Sequence, residues 1–205
     1  MKERRVVVTG MGLVTPLGVG VDVTWQRLVE GRSGIRRISC FDPSDLPAQV
    51  AGEVPEGPTA EGGFTLSDWV PPKEQKKMDR FIHLGLAAAI QAVEDSGWTP
   101  ETEEDRCATG VMIGSGIGGL QTIYDASLTV AEGRARRLSP FFIPSALINL
   151  VSGHVSIRYG FKGPNHSAVT ACATGVHAIG DATRLIMLGD ADVMVAGGAE
   201  AAGCP

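Results

Sequence analysis

The stretch that decides the fold is residues 168–180, AVTACATGVHAIG. The residues just before Cys172, numbers 167–170, are of the types that favour a buried strand. A helical pattern follows Cys172 and has its large apolar residues at Val176, Ile179, Leu185, Ile186 and Leu188. The sequence therefore predicts that Cys172 lies where a strand turns abruptly into a helix.

Cys172 at such a junction has the surroundings of a nucleophile. The positive end of the helix dipole favours a thiolate, and the unpaired N–H groups of the first helical turn can hold a developing oxyanion. The small neighbours Ala171, Ala173 and Gly175 let a substrate approach the backbone closely. The alternative interpretation is a small buried cysteine in a core helix, which is the commoner place for a cysteine.

The composition fits a folded α/β protein. Of the 205 residues, 43% are hydrophobic, 5% are aromatic and 27 are glycine. That combination favours closely packed helices and turns over an all-β sandwich, in one large domain or two small ones. The net charge of −5 argues against general nucleic-acid binding.

The cysteines and the start of the chain predict a cytoplasmic protein with free thiols. Cys40, Cys107, Cys172 and Cys204 are widely spaced and form no CxxC pair, which argues against a zinc site or a thioredoxin-like centre. The charged start runs into only a short apolar stretch, so we expect neither a signal peptide nor a membrane span. A reducing compartment is the usual setting for such a chain.

Apolar runs alternate with helical patterns along the sequence. Strands are predicted at residues 5–9, 109–113, 167–170 and 193–196. Helices are predicted over residues 81–96, 120–132 and 146–159, and again after Cys172. This order predicts an α/β layer architecture with a parallel or mixed sheet.

Two glycine stretches resemble nucleotide-binding motifs, but each lacks residues that such a motif requires. Residues 10–12, GMG, lack the third glycine of the dinucleotide fingerprint because Thr15 stands at that position. Residues 114–119, GSGIGG, follow a strand, but no Lys-Ser/Thr comes after them as in a P-loop. We expect this second stretch, the glycine loop, to pack tightly beside Cys172 with Ile117 facing a pocket.

Several motifs together resemble one known family. They are TACATG at 170–175, GDADVMVAGGAE at 189–200, VTGMG at 8–12 with TPLG at 15–18, GSGIGG at 114–119 and SPFFIP at 139–144. In this order, and over nearly the whole chain, they resemble the β-ketoacyl-[acyl-carrier-protein] synthases, and most closely the elongating type II members. The resemblance implies a thiolase-like fold of α-β-α-β-α layers.

The resemblance also implies an activity and its partners. Cys172 would take an acyl group from an acyl carrier protein and condense it with malonyl-carrier, with loss of CO₂ and no metal or cofactor. Such enzymes are homodimers. Residues 1–205 would form the N-terminal half of the fold, and the two histidines and the lysine that serve decarboxylation would come from a second half.

Further residues take roles from this resemblance and from charge. Ile117 and Phe142 resemble acyl-pocket residues, with Phe142 reaching across from the dimer partner. Two basic clusters suit an acidic carrier protein. The residues predicted to dock it are Lys76 and Lys77 in the first cluster and Arg136 and Arg137 in the second. The plain alternative is that both clusters are solvated helix ends.

None of the four histidines is a convincing base for Cys172. His177 follows five residues later on the helix, about 140° round its axis, and is expected to point away from the thiol. His83 is expected to be exposed, and His154 and His166 to be structural. Two other functions stay open: a non-catalytic subunit that shapes the acyl tunnel of a condensing heterodimer, and a thiolase that acts on coenzyme A thioesters.

Overall fold

The architecture is organised around a three-stranded parallel sheet. The computed structural model describes residues 4–203, so Cys204 lies outside the described residues. The strands of the chain are β1 (Val14–Thr15), β2 (Gly18–Val19), β3 (Ile35–Arg37), β4 (Val50–Gly52), β5 (Thr109–Gly114), β6 (Asn165–His166) and β7 (Val193–Gly198). The sheet has the order β6-β5-β7, whereas β1-β2 and β3-β4 are antiparallel pairs.

Nine α-helices connect or cover these strands within residues 4–203. They are α1 (Val21–Val29), α2 (Leu66–Trp69), α3 (Pro72–Gln75), α4 (Arg80–Ser96), α5 (Glu103–Cys107), α6 (Leu120–Ala131), α7 (Phe142–Ala146), α8 (Leu150–Tyr159) and α9 (Thr174–Leu188). Among the described residues, no helix combines the length and the apolar character that crossing a bilayer would need.

The core lies between β5 and the helices α4 and α8. Every residue of β5 is buried, as expected of a central strand covered on both faces. Phe81 and Ile82 of α4 and Val151 and Val155 of α8 are fully buried in this cluster. The helix α4 begins and ends close to the predicted residues, because Asp79 caps its first turn and Gly97 adopts a left-handed φ of 64° at its end.

Helix α9 covers the other face of the sheet with small residues. Its buried positions are Thr174, Ala178 and Ala182. The larger residues Val176 and Leu188 are 74% and 70% exposed. The prediction of the helix is confirmed, and the face that it buries carries its small side chains and not the large apolar residues of the pattern. Small side chains allow the helix to lie close to the strands, and the large ones form an apolar outer surface.

The predicted strand at residues 5–9 is not formed. Val7 and Val8 are 64% and 77% exposed, and residues 4–13 have no strand partner among the described residues. A β-branched run becomes a strand only where a neighbouring strand takes up its backbone groups. Instead the segment lies on α4, where the Met11 N–H donates to the Asp95 carboxylate at 2.8 Å.

Two other predicted elements differ from the structure. The strand predicted at residues 167–170 is not formed: those residues are irregular, because the pairing with β5 ends at His166 in the short strand Asn165–His166. The helix predicted over 146–159 is divided into α7 and α8, because the chain is extended at Leu147. The remaining strands and helices, at 109–114, 120–131 and 193–198, agree with the predictions to within two residues.

Candidate active site

Cys172 lies on an exposed turn between the sheet and helix α9. The turn is a single 3₁₀ turn, Ala171–Ala173, and α9 begins at the next residue. Ala171 has a φ of 51°, in the left-handed region that a residue with a Cβ rarely adopts. Such backbone strain is typical of functional sites, and here it directs the chain sharply into the helix that follows the thiol.

Hydrogen bonds from both sides hold this turn. The Thr170 N–H donates to the Thr174 hydroxyl at 2.8 Å, and the Ala173 N–H donates to the Thr170 carbonyl at 3.1 Å. The Cys172 N–H has no acceptor among the described residues and remains a donor for a ligand. An exposed thiol beside a fixed, unpaired N–H is the arrangement that acyl transfer through a tetrahedral intermediate requires.

The glycine loop packs against this turn, as the sequence predicts. A Cβ on Gly114 would overlap the Ala168 carbonyl oxygen and the Thr174 side chain. A Cβ on Gly116 would lie 3.0 Å from the Ala171 Cα, closer than side chains normally approach. The glycines are therefore needed for close packing beside Cys172. Ile117, the bulky residue of the loop, is 49% exposed.

Glu200 is a site residue to which the sequence analysis assigned no role. Its carboxylate accepts hydrogen bonds from the backbone N–H groups of Gly116 and Ile117 and from the Ser115 hydroxyl, at 2.9, 3.0 and 3.1 Å. The signal in the sequence is a single acidic residue two positions after the end of strand β7. It is informative only once β7 is known to pair with the strand that leads into the glycine loop.

Phe142 lines a cavity of about 250 Å³ that brings the two basic clusters together. Lys76 enters its wall from the segment after α3, and Arg137 from the 3₁₀ turn Ala135–Arg137. The Asp125 carboxylate and several hydroxyl groups complete the polar part of the lining. Within one chain this cavity contains neither Cys172 nor Ile117, so it does not bring Phe142 together with the other predicted pocket residue or with the predicted nucleophile.

The basic residues around this cavity differ in how far they are neutralised. Lys77 pairs with Glu74 at 2.8 Å and lies over the Phe141 ring. Arg80 pairs with Glu56. In contrast, Lys76, Arg136 and Arg137 form no ion pair with another described residue, so their charges remain available to a partner.

Asp79 ties together the elements that carry the cavity. Its buried carboxylate accepts hydrogen bonds from the Thr122 hydroxyl at 2.6 Å, from the Thr122 N–H at 3.0 Å and from the Phe81 N–H at 3.3 Å. Its backbone N–H donates to the Ser145 carbonyl. One residue thereby fixes α4, α6 and α7 relative to one another around the cavity.

The histidines make contacts away from the thiol. Expected to be exposed, His83 is instead buried; it hydrogen-bonds the Gln75 carbonyl at 3.0 Å, and burial lowers its pKa. Burial likewise lowers the pKa of His154, which lies near Glu74 and Lys77. The His177 ring contacts the Thr170 hydroxyl at 2.6 Å. Within residues 4–203 no hydrogen bond joins a histidine to Cys172. The same residues contain no group of three or more His, Cys, Asp or Glu side chains that could hold a metal ion.

Comparison with protein families identifies the kind of chain that carries this site. Residues 3–205 match the family described as "Beta-ketoacyl synthase, N-terminal domain". The chain is 57% identical over 201 residues to the 3-oxoacyl-[acyl-carrier-protein] synthase 2 of Rhizobium meliloti, an alignment that covers 98% of this chain and 48% of the relative. It is 50% identical to the mitochondrial 3-oxoacyl-[acyl-carrier-protein] synthase of Arabidopsis thaliana, over 97% of this chain and 45% of the relative. The chain thus spans about half the length of these relatives.

Solved structures show the same likeness in three dimensions. The ishigamide ketosynthase/chain length factor superposes with a TM-score of 0.81 at 29% identity, covering 97% of this chain and 48% of that one. A β-ketoacyl synthase from Burkholderia phymatum superposes with a TM-score of 0.77 at 28% identity, covering 94% and 46%. These likenesses confirm the predicted thiolase-like fold, to which residues 4–203 contribute the three-stranded parallel sheet with helices on both of its faces.

Proposed function

The chain belongs to the β-ketoacyl synthase family, and on that premise we propose that it forms the acylation half of a 3-oxoacyl-[acyl-carrier-protein] synthase. The observation that carries the proposal is the exposed Cys172 on a strained turn at the start of α9, packed against the glycine loop. The names of the relatives supply the substrate class, which is an acyl group carried on an acyl carrier protein.

The proposed reaction has two stages. The Cys172 thiolate attacks the carbonyl carbon of the acyl-carrier thioester, and the carrier thiolate leaves. Malonyl-carrier then loses CO₂, and the carbanion so formed attacks the Cys172 thioester and releases the cysteine. The product is a 3-oxoacyl-carrier longer by two carbons. The free Cys172 N–H would stabilise the oxyanion in both stages.

The decarboxylation residues are proposed to lie outside residues 1–205. No histidine of the described residues hydrogen-bonds Cys172, and the chain spans about half of each relative. Residues 1–205 would therefore form the N-terminal half of the active fold. The apolar outer surface of α9, with Val176 and Leu188 exposed, supports a further layer packed on this helix.

We further propose a homodimer that works in the cytoplasm with an acyl carrier protein. Phe141, Ile143 and Leu147 around helix α7 are 40%, 57% and 45% exposed and suit a surface for a second copy. In that dimer Phe142 would complete the acyl pocket of the partner. A reducing compartment would keep the Cys172 thiol free.

The presence of Cys172 disfavours a non-catalytic subunit, and the relatives' names favour carrier substrates over coenzyme A thioesters.

The test of the proposed function is condensation by the full-length protein that carries this chain. Incubation with acyl-carrier and malonyl-carrier should yield a 3-oxoacyl-carrier longer by two carbons and one CO₂ per product, measured by mass spectrometry and CO₂ release. Turnover of coenzyme A thioesters alone would indicate a thiolase, and no product with either substrate would refute the proposal.

Ile117→Phe should shorten the acyl chains that the full-length protein accepts. A larger side chain on the glycine loop obstructs the path of a long chain beside Cys172, and we expect about a tenfold loss of kcat/KM for long relative to short acyl-carriers. Since Ile117 is 49% exposed, the free energy of unfolding should change by less than about 1 kcal/mol. The control is Ile157→Phe, at a residue of α8 that is 78% exposed. An unchanged chain-length profile would contradict the pocket role.

A further inference from the structure

The glycine loop binds an anion that the chain itself supplies. One oxygen of the Glu200 carboxylate accepts from the N–H groups of Gly116 and Ile117, at 2.9 and 3.0 Å. The other oxygen accepts from the Ser115 hydroxyl at 3.1 Å. The Ser115 oxygen in turn accepts from the Gly118 N–H at 2.9 Å. Consecutive backbone donors that converge in this way form an anion-binding concavity, and Glu200 occupies it.

The sheet brings these distant residues together. Strands β5 and β7 are parallel neighbours, with Gly114 opposite Gly198, so the chain leaves both strands at the same edge of the sheet. The Ala199 N–H continues the ladder by donating to the Gly114 carbonyl at 2.9 Å. Glu200 therefore reaches the glycine loop from a strand end that is itself anchored to the start of that loop.

The Glu200 contact also lies next to the 3₁₀ turn Ala171–Ala173 that carries Cys172, here called the nucleophile turn. A Cβ placed on Gly116 would lie 3.0 Å from the Ala171 Cα and 3.0 Å from the Glu200 carboxylate, so this glycine is held between the two. The next residue is Ile117, whose N–H is bound by Glu200 and whose side chain is half exposed. The carboxylate thus fixes the backbone that sets the direction of the Ile117 side chain.

We propose that Glu200 is a positioning residue that fixes Ile117 beside the nucleophile turn and thereby sets which acyl chains are accepted. It acts through the backbone of the glycine loop and does not take part in the chemistry of the thiol. The inference rests on the proposed function for the acyl substrate, whereas the loop contact is a property of the chain alone. Loss of Glu200 is expected to change chain-length selection and to leave the reactivity of Cys172 unchanged.

The test compares Glu200→Ala and Glu200→Gln with the wild type in the full-length protein. Glutamine retains an oxygen acceptor for the two backbone N–H groups, and its amide can donate to the Ser115 oxygen. In Glu200→Ala, hydrogen exchange of the Gly116 and Ile117 amides should accelerate about tenfold, as expected for the loss of charge-assisted hydrogen bonds. The ratio of kcat/KM between short and long acyl-carriers should shift at least about fivefold, in line with a relaxed pocket wall. In Glu200→Gln, the amide exchange rates and the chain-length ratio should both stay close to those of the wild type.

Two further measurements separate positioning from general damage. The rate of alkylation of Cys172 by iodoacetamide should stay the same in all variants, and Asp181→Ala, which removes an exposed carboxylate of α9, should behave as wild type. Ser115→Ala removes one donor and keeps the acid, so it should show a partial effect even if Glu200→Ala fails to fold. The inference would be overturned if amide exchange or the chain-length ratio stayed unchanged in Glu200→Ala. It would also be overturned if kcat/KM fell equally for all substrates and the rate of Cys172 alkylation fell with it. A wild type that elongates no acyl-carrier would instead refute the proposed function, while the exchange measurement still reports on the loop contact.

Discussion

Cys172→Ala in the full-length protein should abolish the acyl-enzyme and lower the rate of condensation by at least about 10³-fold, as expected for loss of a covalent nucleophile. The side chain is exposed on its turn, so alanine leaves the fold intact and removes only the sulfur. Intact-protein mass spectrometry after incubation with an acyl-carrier thioester should detect one acyl group on the wild type and none on the variant. The cysteine-directed inhibitor cerulenin should give the same pattern.

Cys107 offers a matched control for this result. It is also an exposed cysteine, but it ends helix α5 and lies outside the turn that carries Cys172. Cys107→Ala should therefore keep full acylation and full condensation. An adduct on Cys107 or Cys40 with Cys172 unmodified would refute the assignment of the nucleophile, because exposure alone would then account for the reactivity.

The sequence was sufficient to predict the elements whose signals are local. Helix α4 was predicted almost to the residue from its apolar pattern and from Gly97 at its end, and the structure adds the cap that Asp79 forms at its start. The central strand β5 was equally clear as a short apolar run that leads into glycines. The start of helix α9 after Cys172 follows from the same kind of signal, but the strand predicted at residues 167–170 is absent and the left-handed Ala171 was not foreseen.

The features that the sequence did not predict depend on contacts between distant segments. Glu200 and Gly116 are 84 positions apart, and only the pairing of β5 with β7 shows that they meet. Val7 and Val8 have the residue types of a strand, but no described strand pairs with them. In α9 the apolar periodicity predicts the helix, but it does not show which face of the helix meets the sheet. The close approach of helix and sheet selects the alanines for the buried face.

Reversing two charges at the mouth of the Phe142 cavity should weaken the use of carrier-bound substrates. The chain has a net charge of −5, so attraction of an acidic carrier protein must come from a local basic surface. Lys76 and Arg137 line one cavity and form no ion pair within the described residues, whereas Lys77 is already paired with Glu74. Lys76→Glu with Arg137→Glu should raise the KM for acyl-carrier about tenfold at low ionic strength, because rim charges act mainly on the rate of association.

Two measurements, at higher salt and with a carrier-free substrate, show whether the rise in KM comes from weaker docking of the carrier protein. The difference between wild type and the double variant should shrink as ionic strength rises, since exposed charges are screened over about 10 Å at 0.1 M salt. Turnover of a small acyl thioester without the carrier should change less than about twofold, because on the docking proposal these charges contact the carrier and not the acyl group. Lys162→Glu makes the same kind of charge change at a residue that does not line the cavity, and should leave the KM near that of wild type. An equal loss with both substrates, or a loss that salt does not reduce, would show that Lys76 and Arg137 support the cavity itself and do not bind the carrier.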